Sequence, residues 1–427
     1  MTLSRSRERL LIAALVAIQF TNVVDFVIMM PLGPQLMRAF GIGPQAFGLI
    51  VSSYTFSAAV SGLFGALVID RFDRKTALLA IYAGFALATL GCALAPTHHA
   101  LILARVVAGA FGGLLATLVY AIVGDAIPYQ RRGAATGAVM AAFSLATVLG
   151  VPLGLWAAGR AGWHAPFALL SALATLVLAA AWYAVPAIRG HLTGSPRLSP
   201  AATLAGVFGV ANHRWAFALM VALMFGGFTI MPFLAPFLVS NVGLAEGQLP
   251  YVYMLGGAAT AFTSNAIGRL SDRFGKARTF VVMACVSVAP ILLLTNLTAL
   301  RPVPLAAALA VTTAFVVVVS GRMVPALALV TSSSAPQTRG SFMSVTSSIQ
   351  QCAAGLASLL SGLIIVQAPD GALQRFDVVG AIAVAATLSC VAVVRKVRAV
   401  DVGPAIVPAP APVVAPTAGE LVTDEAA

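Results

Sequence analysis

Charge is what this sequence has least of. Only 9% of its 427 residues are Asp, Glu, Lys or Arg, and acids are the scarcer sign, 13 against 25 bases. Soluble domains carry about 25% charged residues, so a water-soluble globule is excluded. Cysteine is also rare. Cys92, Cys285, Cys352 and Cys390 lie in apolar runs with no CxxC pair. That excludes a disulfide framework or zinc ribbon and leaves them as small buried hydrophobes. The five histidines (98, 99, 164, 191, 213) all fall in loops or at span ends, and HExxH and GxSxG are missing. An intramembrane enzyme is therefore not expected, and without a nucleotide-binding glycine loop neither is direct ATP drive. The longest soluble stretches hold no signalling domain, although a transporter-like membrane sensor or scaffold stays open as a minor alternative.

Apolar residues make up 60% of the chain, with a mean hydropathy of +0.98. A membrane helix needs about 20 mostly apolar residues, and the runs here are long and continuous rather than alternating as barrel strands do. They predict twelve spans, near 10–32, 46–69, 77–95, 100–124, 133–158 and 165–185, then 214–239, 249–270, 279–299, 304–329, 341–366 and 377–395. The fold class expected is an all-α polytopic membrane protein with two pseudo-symmetric six-helix bundles. Residues 1–188 form the first, 189–213 a cytoplasmic linker, 214–398 the second and 399–427 a disordered cytoplasmic tail. The start, MTLSRSRERL and an apolar run, mimics a signal peptide but lacks a small-residue cleavage site, so it reads as a retained first span.

Net charge is +12, yet the bases are dispersed among short connections, unlike the basic face of a nucleic-acid binder. Two of the 25, Arg105 and Arg322, lie within spans. Arg38, Arg160, Arg301 and Arg375 lie on odd-to-even connections, and the other nineteen on the opposite side. The positive-inside rule then puts both termini in the cytoplasm. The halves also repeat. Asp70-Arg71-Phe72-Asp73-Arg74-Lys75 follows the second span and Asp272-Arg273-Phe274-Gly275-Lys276 the eighth; Pro128 with Arg132-Gly133 is echoed by Pro336 with Arg339-Gly340. Parallel repeats of this kind describe transporters with a mid-membrane site between the halves.

Asp25 is the only acid well inside a span. A charge there costs about 2.5–3.5 kcal/mol on insertion scales, so it needs a partner, a proton or a wet cavity. Counting at 1.5 Å per residue puts Asp25 and Arg105 both roughly 8–10 Å below the outer boundary. Burial favours the neutral acid and a nearby guanidinium the carboxylate. The pair then reads either as a proton-coupling site or as a static packing contact. Gln19 and Asn22 share a helix face with Asp25. Tyr54, Phe228, Asn265, Arg322, Gln350 and Gln351 complete the candidate cavity residues; each polar one also suits an ordinary interhelical hydrogen bond. Arg322 has no acid at its depth, and would snorkel, bind carbonyls or meet a polar or anionic substrate. Phe225, Phe233 and Phe237 line an apolar pocket or face lipid.

These motifs resemble the major facilitator superfamily, and within it the twelve-span proton-coupled drug and sugar exporters of the arabinose-efflux-like group, over residues 10–398. The family's loop pattern G-x-L-x-D-R-x-G-R-K is matched at Asp70, Arg71, Arg74 and Lys75, with Ala66 and Asp73 in place of its glycines; the second copy keeps Gly268 and Gly275. Arg105, Gly109 and Gly113 fit the fourth-helix motif, and Gly150, Pro152 and Gly154 a looser fifth-helix motif of exporters. The resemblance implies alternating access, hinge or packing roles for these glycines and Pro152, and a latch in which Arg74 or Lys75 pairs with Asp125. Asp70, Arg71, Asp272, Arg273 and Lys276 complete the latch set. It also implies proton-coupled efflux of a small organic molecule, sugar-like or drug-like, by a monomer in the bacterial inner membrane. Proton-coupled uptake is the alternative. No cofactor or metal is expected; the proton gradient supplies the drive.

Overall fold

The computed structural model describes residues 4–69, 71–188, 200–300, 302–335 and 338–400. Twelve long helices cross the molecule: α1 (Arg5–Ile28), α2 (Pro44–Ile69), α3 (Arg74–Ala93), α4 (His98–Ala126), α5 (Gln130–Ala161), α6 (His164–Ala184), α7 (Ala211–Val242), α8 (Leu249–Phe274), α9 (Lys276–Thr295), α10 (Leu305–Ser332), α11 (Arg339–Ile364) and α12 (Phe376–Val394). Local chemistry sets several ends. Thr97 caps α4 by accepting from the Ala100 amide at 3.2 Å, and Asp73 caps α3 from the Lys75 amide at 2.8 Å. Pro31 lies just beyond α1, and the chain turns at 29–32 before a short helix, Gly33–Phe40. Asp25 therefore lies in the last turn of α1, nearer its end than residue counting implies.

Prolines explain the interrupted helices, because each removes the donor for a carbonyl four residues back. In α7, Pro232 and Pro236 accompany a break after Phe228, a 3₁₀ turn at Met231–Phe233 and a π turn at Leu238–Val242. In α5, Pro152 follows a π turn at Ala146–Gly150. In α10, Pro325 withholds a donor from Gly321, and the helix breaks at Arg322.

Ten of the twelve are apolar enough along their length to be membrane spans among the described residues. The others, α8 and α11, have 26 residues each, about 39 Å, which is ample for crossing. They fall short in hydropathy because each carries a polar stripe, Thr260, Thr263, Ser264 and Asn265 on α8 and Ser344, Ser347, Ser348 and Gln351 on α11. The helices form two six-helix bundles that meet along two seams, α2 against α11 and α5 against α8.

At the end away from the amino terminus one apolar cluster draws on both bundles, including Met30, Leu36, Phe47, Ile50, Phe233, Leu234, Phe237 and Phe376. Phe47 meets Phe233 edge-on at 5.6 Å and Phe237 stacks on Phe376 at 4.2 Å. At the amino-terminal end the bundles keep separate cores, one around Leu15, Leu78, Leu118 and Ile122, the other around Met220, Phe280, Leu329 and Phe342. The molecule is thus sealed at one end and parted at the other.

One expectation needs correction. Cys285 and Cys352 are exposed, because they face outward from their helices; only Cys92 and Cys390 are buried. The stretch read as linker holds a helix, Pro200–Gly209, whose Val207 is buried against the second bundle, its carbonyl bonded to His213 Nδ1 at 2.9 Å. The α11–α12 connection contains a two-stranded hairpin, Val366–Gln367 with Leu373–Gln374, clasped by Asn241 through both polar groups of Leu373. Residues 189–199 and 401–427 lie outside the described residues.

Candidate binding cavity and its buried charges

A cavity of about 220 Å³ lies between the bundles on the parted side. Gln19, Asn22 and Phe26 of α1, Tyr54 and Gly62 of α2, Thr117 of α4, Phe143 of α5 and Ser344, Ser347, Ser348 and Gln351 of α11 are in its wall, and among the described residues the wall contains no charged side chain. Two buried polar atoms in it, Gln19 Oε1 and Ser348 Oγ, have no hydrogen-bond partner. Buried polar groups are normally paired, so these are positioned for a ligand or water.

Behind this wall lies an ion pair. Arg105 Nη1 donates to Asp25 Oδ2 at 2.8 Å and to the Asp25 carbonyl at 3.2 Å, and Thr89 donates to Oδ1 at 3.3 Å. The two charged side chains are 0% and 1% exposed. A carboxylate in the last turn of a helix faces the negative end of the helix dipole. Arg105 offsets this by bonding both the carboxylate and an end carbonyl of α1. Its guanidinium carbon also sits 4.3 Å from the Tyr54 ring centre, a cation–π contact that partly replaces water.

Tyr54 and Asn22 separate this pair from the cavity. Tyr54 Oη donates to Asn22 Oδ1 at 3.0 Å, and Asn22 Nδ2 donates to the Gly112 carbonyl at 3.2 Å. The close approach of α2 and α4 requires glycine. A Cβ at Gly109 would overlap the Tyr54 carbonyl oxygen, one at Gly112 the Tyr54 hydroxyl, and one at Gly113 the Ala58 carbonyl oxygen. Gly150 and Gly154 press on α1, at Val24 and Ile28, and Pro152 sits between them. Phe26 stacks on Tyr54 at 5.5 Å and reaches Phe228 of the other bundle at 6.1 Å.

The remaining sequence candidates divide. Phe228 is half-buried beside Phe26 but not in the cavity wall, and Phe233 and Phe237 belong to the apolar seal rather than to a lipid face. Gln350 faces away from the cavity, its Nε2 against Met220 Sδ at 2.9 Å. Asn265 is exposed and outside the wall, because the cavity lies along α11 rather than α8. Arg322 is 1% exposed and points into the core of the second bundle. In the latch set, Arg74 Nε donates to Asp125 Oδ2 at 2.8 Å. Lys75 instead lies over the Trp182 ring, and Arg71 is exposed. Asp272 and Arg273 are exposed, and Lys276 donates to the Ala328 carbonyl at 3.4 Å, so the second copy of the motif forms no matching ion pair among the described residues. Asp70 lies outside the described residues.

Sequence reasoning missed several contacts. Glu8 bridges α1 to Arg131 of α5 at 2.9 Å, and Arg38 pairs with Glu246 across the two bundles at the sealed end. The serine wall of α11 had a signal, Ser344-x-x-Ser347-Ser348-x-x-Gln351, whose i, i+3, i+4, i+7 spacing marks one helix face.

Comparison with known proteins places these observations. Residues 15–358 and, in an overlapping second match, 216–416 fit the sequence profile of the Major Facilitator Superfamily. The chain is 27% identical over 235 residues to "Uncharacterized MFS-type transporter YfhI" of Bacillus subtilis (strain 168), spanning 53% of this chain and 57% of that relative. It is 25% identical over 271 residues to "Probable sugar efflux transporter" of Helicobacter pylori (strain P12), spanning 62% and 66%. Its fold superposes on the crystal structure of a D-xylose-proton symporter with a TM-score of 0.73 at 17% identity, covering 91% of this chain and 97% of the other.

Proposed function

The chain belongs to the Major Facilitator Superfamily and is a multi-pass membrane transporter rather than an enzyme; from that premise we propose that it exports a neutral, sugar-sized compound across a bacterial inner membrane in exchange for protons. The observation that carries this reading is the Asp25–Arg105 pair, held dry behind Tyr54 and Asn22 at the wall of a cavity that has no charge of its own.

The wall favours polar, uncharged cargo. Hydroxyls and amides offer hydrogen bonds in both directions, while a cation or anion entering the cavity would find no counter-charge there. The volume lies below the roughly 300–1,000 Å³ of drug-sized sites, which fits a monosaccharide better than a large amphipathic drug. The relative from Helicobacter pylori carries sugar efflux in its name, in keeping with this cargo and direction.

Orientation follows from the basic residues: the amino-terminal, parted end faces the cytoplasm, so this conformation is open inward. The geometry supports proton exchange through Arg105. When the seal opens, Phe26 loses Phe228, Tyr54 moves off Arg105, and the pair separates. Without the guanidinium beside it, the Asp25 carboxyl takes a proton from outside. Return to the inward-open state brings Arg105 back against Asp25, and the guanidinium, which favours the carboxylate, expels the proton toward the cytoplasm. Arg74–Asp125 and Glu8–Arg131 hold the cytoplasmic ends of the first bundle together through the cycle.

The test uses inside-out vesicles energised by respiration, with acridine fluorescence reporting the pH gradient. Adding a pentose or hexose drawn from a panel is expected to collapse part of the gradient with the natural protein and not with Asp25→Asn. Sugar-induced proton movement retained by Asp25→Asn overturns the proton role. Movement of the opposite sign makes the protein an uptake symporter.

A further inference from the structure

Arg322 is the second arginine inside the membrane region, and among the described residues it has no partner of opposite sign. The acids of the second bundle are Glu246, Asp272, Asp370 and Asp377, and each lies in a connection or an end turn of a helix. The guanidinium is enclosed by α7, α9 and α12. Nη1 donates to Thr387 Oγ1 at 2.6 Å and to Ser287 Oγ at 3.4 Å. Nε and Nη2 are buried and donate to nothing among the described residues. Room for the group comes from Gly226, where a Cβ would lie 2.7 Å from Nη2.

An arginine removed from water without a counter-charge is among the more costly arrangements in a protein, and here two of its three nitrogens also forgo hydrogen bonds. Neutral hydroxyls do not balance a full charge. The backbone adds a second feature. Helix α10 is interrupted at this residue, and a ten-residue half-helix, Met323–Ser332, starts immediately after it. The start of a helix carries partial positive charge, and broken membrane helices use such ends to hold anions. The first bundle solves the same problem differently, by giving Arg105 its Asp25.

We propose that the second bundle holds a single negative charge at Arg322, a chloride-sized anion or a carboxylate, bonded by the free Nε and Nη2 donors and by the hydroxyl of Thr387, the Ser287 hydroxyl being already donated to the Ala284 carbonyl at 2.7 Å. Arg322 does not line the 220 Å³ cavity, so this site is separate from the sugar cavity and does not rest on the proton-exchange reading. A monovalent ion neutralises the guanidinium; a divalent one would leave a buried excess of negative charge. The bound anion fixes α7, α9, α10 and α12 around one point at the break of α10.

The experiment is thermal unfolding of the full-length protein in detergent, dialysed into sodium sulfate, whose divalent anion does not suit the site, and titrated with sodium chloride at constant ionic strength. Acetate serves as a parallel titrant. A saturable rise of about 2–4 °C is expected with chloride. Arg322→Met should abolish the response while matching or exceeding the natural protein's stability in sulfate, as apolar replacements of buried charges do. Thr387→Val should shift the half-maximal chloride concentration by about tenfold, and it keeps the test open if Arg322→Met does not fold. An Arg322-dependent rise with acetate but not chloride identifies the occupant as a carboxylate. A natural protein that responds to neither anion, or an Arg322→Met variant that responds equally, overturns the proposal.

Discussion

A buried charge pair is costly to assemble and more costly to break. Removing one partner of such a pair costs about 3–5 kcal/mol, because the other charge is left without compensation. Asp25→Ala is therefore expected to lower thermal stability by about that amount, and Asp25→Ala with Arg105→Met to recover most of it. A double-mutant cycle read by thermal unfolding checks this, with a coupling energy well above the few tenths expected of independent sites. Asp25 and Arg105 were legible in the sequence because charge is so rare here that any charge within a span stands out. Thr89 was not, since a hydroxyl in a helix carries no sign of which neighbour it will meet. Arg38 and Glu246 were equally silent, because their pairing depends on two bundles meeting 208 residues apart in the chain.

At the scale of helices, glycines decide how closely α2 and α4 approach. Gly109→Ala places a methyl group against the Tyr54 carbonyl and is expected to destabilise by about 1–3 kcal/mol. Gly124→Ala, on the same helix with nothing within 4 Å, is expected to be neutral or stabilising by up to about 1 kcal/mol. Unfolding temperatures of the two variants test the contrast. The twelve helices were readable because apolar runs and basic connections are properties of the chain itself. The break in α10 was also present as Pro325, but its coincidence with Arg322 becomes meaningful only once that side chain is seen to point into the bundle. Cys285 and Cys352 were misjudged for a related reason: in a membrane an apolar stretch does not tell which side faces protein and which faces lipid.

For the whole molecule, the proposed alternation between inward- and outward-open states would rest mainly on the apolar seal. The Arg38–Glu246 pair is largely exposed on the arginine side, and such pairs are worth about 0.2–1 kcal/mol. Arg38→Glu should shift the population toward the outward-open state by no more than about fivefold, and Arg38→Glu with Glu246→Arg should restore it. Phe233→Ala, which removes a fully buried ring from the seal, should shift it further. Reaction of Ser347→Cys with a membrane-impermeant maleimide applied to right-side-out vesicles measures both, in a background with Cys285 and Cys352 replaced by serine. Equal reactivity in Arg38→Glu and Phe233→Ala would show that the surface charges, not the rings, hold the outer end closed.

The polar stripes of α8 and α11 have a bearing on how the chain enters the bilayer. A nascent helix leaves the translocon according to its own apolarity, and these two are the least willing to leave. Each finds its shelter in the opposite bundle, α8 against α5 and α11 against α2. Synthesis order favours them, since α2 and α5 are already in place when α8 and α11 emerge. The earlier half of the chain thereby acts as a scaffold for inserting the later one.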